Sequence, residues 1–101
     1  MKFVHITFRF EYTESIEKIL DDQGVVNYVR HPMVQGKGID GKHFGSKVFP
    51  GNFTVVQAVV GDDETARLLK DLEEFGKSKA AHHHLRAFVL PVEAMIGAEY
   101  D

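Results

Sequence analysis

The chain has 101 residues, is 44% hydrophobic and 27% charged, carries a formal net charge of −3 and contains no cysteine. That length supports one domain, residues 1–101, with a core that needs no staples. The missing cysteines exclude a disulfide framework, a thiolate zinc site and a cysteine nucleophile. A pI near 6.0 argues against a dedicated nucleic-acid binder.

No apolar run approaches the roughly 18–20 residues of a membrane span, so no membrane insertion is expected. The chain enters a strand-like stretch at Lys2 with no basic region followed by a long apolar one. No signal peptide is therefore expected, and the expected location is cytoplasmic.

Residues 2–10 alternate: Val4, Ile6, Phe8 and Phe10 face one way, Phe3, His5, Thr7 and Arg9 the other. Period two with branched and aromatic residues predicts a half-buried strand. Thr13 then reads as a helix N-cap with Glu14 in the first turn. Ile16, Ile19 and Leu20 recur at helical spacing, and Gly24 suits the left-handed position just past the helix end. Residues 25–34 form a second strand-like run, placed at a sheet edge because Pro32 cannot donate a ladder hydrogen bond.

Residues 35–52 are the most distinctive stretch. Five of the nine glycines fall there, at 36, 38, 41, 45 and 51. Glycine lets a backbone take positive φ and approach a ligand closely. Between positions 25 and 52, Arg30, Lys37, Lys42 and Lys47 face only Asp40, a local charge of +3 in a chain of −3. Taken alone, this is either a hairpin loop with solvating lysines or an anion-binding loop.

Residues 53–60 are apolar at nearly every position, as in a central strand. Gly61 ends that run, and Asp62, Asp63 and Glu64 open a helix. Thr65, Leu68, Leu69, Leu72 and Phe75 make its apolar stripe, with Gly76 as its stop. Arg67 with Asp71, and Lys70 with Glu73 or Glu74, are spaced as helical ion pairs. Lys77, Lys79, His82, His83, His84 and Arg86 follow without an acid among them. Residues 85–90 are the last strand, broken by Pro91. Residues 92–97 are expected to add a short helical turn.

The order β-α-β, hairpin, β-α-β predicts an α+β, ferredoxin-like βαββαβ sandwich, with an antiparallel sheet in the order 4-1-3-2 and two helices on one face. That topology sends loop 35–52 and residues 77–84 to the same edge of the sheet. Two basic segments distant in sequence would then meet and grip an anion, most simply a phosphate-bearing ligand.

In residues and order the chain resembles the PII nitrogen-regulatory signal proteins. Residues 16–24, Ile-Glu-Lys-Ile-Leu-Asp-Asp-Gln-Gly, look like that family's first helix and its closing glycine. Gly36-Lys37-Gly38 looks like the Gly-Phe-Gly that opens its long T-loop, and residues 55–72 match its third strand and second helix in pattern. Residues 87–93, Ala-Phe-Val-Leu-Pro-Val-Glu, are similar to the Ile-Phe-Val-x-Pro-Val-Glu after its B-loop.

The resemblance implies a homotrimer that binds ATP, ADP or AMP in clefts between subunits and regulates a partner protein, a transporter or an enzyme, through the T-loop. Carried over by position, Gly36, Lys37, Gly38 and Lys42 belong to the T-loop side of the ligand site. His83 and Arg86 belong to the B-loop side, with Arg86 replacing the lysine that reaches the phosphates. The chain departs from the pattern at His83 and Leu85, where the family has glycines, and near Asp40, where it has the glutamine that holds 2-oxoglutarate and magnesium. The loop is shorter and has no tyrosine, so uridylylation is not expected there.

A metal site is the alternative. In an extended segment His82 and His84 share a side, and His43 in the other loop would be a third ligand. Imidazole-only sets suit zinc, copper or nickel, and the alternative reading is a trimeric metal-binding protein, CutA-like or metal-linked PII-like, that uses His82 and His84. An enzyme is not expected: there is no nucleophile elbow, no paired carboxylates, and Gly41-Lys42 lacks the hydroxyl residue of a P-loop.

Overall fold

The computed structural model describes residues 1–25, 27–34 and 52–97. Strand β1 (Lys2–Arg9) leads through a 3-10 turn (Phe10–Tyr12) into helix α1 (Thr13–Asp22). Strands β2 (Tyr28–Val34) and β3 (Phe53–Val60) follow, then helix α2 (Asp62–Ser78), a 3-10 turn (Ala80–His82) and strand β4 (Arg86–Pro91). The four strands form one antiparallel sheet in the order β2-β3-β1-β4, the expected ferredoxin-like arrangement read from its other edge.

Alternation decides which face is core. Val4, Ile6 and Phe8 of β1 and Val56, Ala58 and Val60 of β3 are buried against Ile16 and Leu20 of α1 and Leu68 and Leu72 of α2. Each of these side chains larger than Ala58 contributes about 1.5–3 kcal/mol of burial. Phe10 departs from the expectation. The strand stops at Arg9, and Phe10 opens the 3-10 turn with 45% of its surface exposed.

Three other boundaries differ from the sequence expectation for local reasons. Thr13 is the first helical residue rather than the cap, and its hydroxyl donates back to the Phe10 carbonyl at 2.6 Å. Strand β2 begins at Tyr28, because Val25 completes the helix end. The Gly24 N–H donates to Asp21 O (3.0 Å), and the Val25 N–H to Leu20 O (2.9 Å). With Gly24 at φ +79° this is a Schellman closure, and Val25 is buried beside Leu20.

Helix α2 runs through Gly76 to Ser78. Its start is held by Glu64, which accepts the Gly61 N–H at 3.0 Å, and its end by the residues described below. Arg67 and Asp71 do not act as a simple pair. Asp71 accepts from the Gln23 amide at 2.5 Å and Arg67 donates to the same amide at 3.4 Å, tying α1 to α2.

Strand β2 is an edge strand, as Pro32 requires. Its register with β3 shifts between His31 and Val34, and Met33 has φ +60°. Residues 92–97 are irregular rather than helical. No helix is long and apolar enough to cross a membrane among the described residues. Both helices pack on one face of the sheet, leaving Phe3, His5, Val55, Gln57, Val59, Phe88 and Leu90 on the other.

Candidate functional site

The strand register carries the two basic segments' described roots to one end of the sheet. Arg9 pairs with Phe53, Val34 also pairs with Phe53, and Thr7 pairs with Arg86. The Phe10 N–H donates to Asn52 O at 2.7 Å. Both arms of the hairpin therefore start beside the turn that precedes β4. Gly36, Lys37, Gly38, Lys42 and His43 lie outside the described residues.

Rings fasten that turn to its surroundings. Tyr12 meets His82 edge-on at 4.5 Å, Phe75 edge-on at 5.9 Å and His84 in a stack at 5.5 Å between centroids. His82 lies flat on Phe75 at 4.0 Å, and His84 approaches Phe53 at 5.9 Å. The connection before β4 is thus clamped between the end of α2, the turn after β1 and the root of the hairpin.

The three histidines have three different environments. His82 is buried, and its Nδ1 lies 2.9 Å from Phe75 O and 3.0 Å from Ser78 Oγ. A carbonyl only accepts, so Nδ1 carries the proton. The Ser78 hydroxyl donates to the same carbonyl at 2.7 Å. His82 and Ser78 together satisfy a carbonyl that a helix end leaves open, which is why α2 continues past Gly76.

His83 is exposed. His84 is half-buried, hydrogen-bonded to the Ala81 backbone, and its Nε2 is shielded with no partner among the described residues. Burial, with the nearby Arg9 charge, holds the His84 imidazole below its ordinary pKa. Arg86, exposed at the start of β4, donates from Nη1 to His83 O (2.8 Å) and Leu85 O (2.9 Å), bracing the turn from outside.

An open cleft of about 620 Å³ runs between the outer side of α2 and β4. Leu69, Leu85 and Ala87 form its apolar wall, with Lys70, Lys77 and His83 at its margin. A second cleft of about 600 Å³ lies on the uncovered sheet face beside Phe3, Val29, Gln57, Val59 and Met95. Glu73 lines the same margin 3.7 Å from Lys77, so the lip is mixed in charge around an apolar wall. Among the described residues no three histidine or carboxylate side chains gather as a metal-binding set. The segment holding His82 and His84 is a turn rather than extended, and His82 spends Nδ1 on the helix end.

Arg86 and His83 are joined directly by the geometry. Tyr12, Ser78 and Phe75 are the contributors that sequence reasoning missed at this site. Their only signal is position: an aromatic just past the first strand, and a serine and an aromatic one turn apart at the close of the second helix.

No protein-family model matches the sequence, and no curated protein matches it. Solved structures do. CPII from Thiomonas intermedia K12, a nitrogen regulatory PII-like protein, superposes in its form bound to ADP, AMP and bicarbonate with a TM-score of 0.71 at 22% identity, over 88% of this chain and 82% of that one. Its apo form gives 0.68 at 21% identity, over 88% and 85%. A PII-like signaling protein from Thermus thermophilus gives 0.66 at 22% identity, over 90% and 85%. At these identities the likeness is one of fold: the chain carries the fold of the PII-like signalling proteins.

Proposed function

We propose that this chain is a divergent PII-like regulatory protein, one domain over residues 1–101, that assembles as a homotrimer and binds an adenine nucleotide between subunits. ADP and AMP are the first ligands to consider, because CPII is seen bound to them; ATP is the third. The observation that carries the reading is the shared rim. The described roots of the glycine-rich loop and the His82–Arg86 turn meet at one end of a PII-like sheet. In this reading Gly36, Lys37, Gly38 and Lys42 hold the ligand from one side, and His83 and Arg86 from the other. Ligand occupancy changes the loop that docks on a partner, a transporter or an enzyme, in the cytoplasm. The chain regulates and does not catalyse.

Two features support assembly. One whole face of the sheet has no covering layer among the described residues, and Phe88 and Leu90 are each more than half exposed on it. The metal reading has less to stand on, since His82 already commits its Nδ1 to the Phe75 carbonyl.

The test is isothermal titration with ADP, AMP and ATP, and with zinc and nickel as counter-arms, together with thermal unfolding. A nucleotide at 100-fold excess over Kd stabilises by about 2.7 kcal/mol. Binding lost in Arg86→Ala supports the reading. Binding of metal alone, or of nothing, refutes it.

A further inference from the structure

We propose that Met33 is a positioning residue for the rim site. Held in the left-handed conformation, it absorbs one surplus residue of β2 and keeps Val34 opposite Phe53, on the sheet face away from the helices. The proposal rests on the nucleotide reading above and adds the residue that aims one arm of its site.

The strand register reveals the surplus. Tyr28 faces Ala58, Val29 faces Gln57, Arg30 faces Val56 and His31 faces Val55. An unbroken ladder would next set Pro32 against Thr54 and Met33 against Phe53. Instead Val34 stands against Phe53, so Pro32 and Met33 together oppose Thr54 alone. Two residues against one make a β-bulge, which re-aims the strand that carries it.

The bulge decides a facing. Thr54, Val56 and Ala58 are buried on the helix side, and Phe53, Val55 and Gln57 alternate with them on the other. Residues directly opposite each other share a face. Val34 therefore lies on the open face in one row with Phe53 and Arg9. A slip of one residue would put Met33 in that place and send Val34 to the helix side. Burial agrees with the observed register. Val29, Arg30, His31, Pro32 and Met33 are exposed, and Val34 is partly covered.

The backbone shows what holds the bulge. Met33 has φ +60°, the single non-glycine positive φ among the described residues. A Cβ in that conformation crowds the following carbonyl, a cost that glycine escapes. Pro32 before it has no N–H to withdraw from the ladder. Strain of this kind persists where the surroundings over-determine it, and it gathers at binding sites. Here the surroundings are the ring cluster of the rim. Phe53, which Val34 opposes, also meets His84 at 5.9 Å, and His84 stacks on Tyr12 at 5.5 Å. The bulge thus ties the root of the β2 arm to the turn that bears His83 and Arg86, and a slip would turn that root over.

Three chains test this: the wild type; Met33→Gly, which accepts left-handed backbone; and Met33→Val, whose branched Cβ resists it. Nuclear Overhauser contacts between the Val34 methyls and the Phe53 ring report the register. Titration with ADP reports the site, and urea unfolding reports stability. The wild type and Met33→Gly are expected to keep the contact and to bind ADP within about threefold of each other. Met33→Gly should also raise the folded-to-unfolded ratio by about threefold to tenfold as the strain is removed. Met33→Val should lose the contact and bind ADP roughly tenfold or more weakly, with its urea transition still cooperative. Should Met33→Val not fold, Met33→Thr, polar and equally branched, takes its place.

A branched variant that keeps the Val34–Phe53 contact overturns the proposal, because Met33 then does not hold the register. One that loses the contact yet binds ADP as tightly as the wild type overturns it too. Weaker binding by Met33→Gly with the contact intact assigns Met33 a direct ligand contact and refutes positioning. A wild type that binds none of ADP, AMP and ATP overturns the nucleotide reading, and the role at the site with it; the Overhauser contacts then still decide whether Met33 sets the register.

Discussion

Tyr12→Ala is the change that tests the rim most directly. The ring makes three aromatic contacts, at 4.5, 5.5 and 5.9 Å, to residues of α2 and of the turn before β4. Each such pair contributes about 0.5–1.5 kcal/mol beyond area burial. Their summed loss, about 1.5–4.5 kcal/mol, brackets the roughly 3 kcal/mol at the low end for truncating an aromatic. Tyr12 is only partly buried, so about 2–3 kcal/mol is expected.

Urea unfolding at fixed protein concentration reads this directly. With a slope of about 1–1.5 kcal/mol per molar, the midpoint falls by roughly 2 M with the slope unchanged. Tyr12→Phe keeps every ring contact and should stay within about 0.5 kcal/mol of wild type. A Tyr12→Ala midpoint equally close to wild type would show that the turn is not held by these rings.

Three further outcomes follow from single atoms. Thr54 is fully buried and its hydroxyl has no partner among the described residues, so Thr54→Val, nearly isosteric, should raise stability by about 1 kcal/mol in the same urea assay. A methyl group at Gly76 would meet Leu85 Cδ2 at 3.6 Å and His82 O at 4.0 Å, both ordinary contacts. Gly76→Ala in this helix interior should therefore stabilise by about 0.5–1 kcal/mol; a loss would mean the glycine is needed for another reason. His84 is held neutral below its ordinary pKa by burial and Arg9, so the unfolded chain takes up that proton first. Stability is then complete above about pH 6.5 and declines as pH falls from that value toward the lower folded one. His84→Gln should flatten the slope of the urea midpoint between about pH 7.5 and 5.5; an unchanged slope assigns it elsewhere.

The backbone plan was legible because it follows from period and punctuation. Alternation at Val4, Ile6 and Phe8 named the core face, and Gly24 named the end of α1. Pro32 placed β2 at an edge. What was not legible depended on distant partners. Phe10 continues the alternation, yet the chain turns there and bonds to Asn52. Gly76 looks like a stop, yet His82 and Ser78, beyond it in sequence, return to satisfy Phe75 O. Three adjacent histidines look alike in sequence. One closes a helix, one is exposed and one is stacked on Tyr12, a division that only the turn geometry assigns.

The way α2 ends has an electrostatic consequence. A helix terminates in a negative pole worth roughly half an elementary charge, and this one terminates beside the rim proposed to receive an anion. An open pole there would repel a phosphate. The imidazole N–H of His82 and the Ser78 hydroxyl turn inward onto the Phe75 oxygen, and Lys77 stands in the last turn. The buried histidine and Ser78 thus answer one of the carbonyls at the negative end of the helix dipole, and Lys77, 3.7 Å from Glu73, adds a cation beside it.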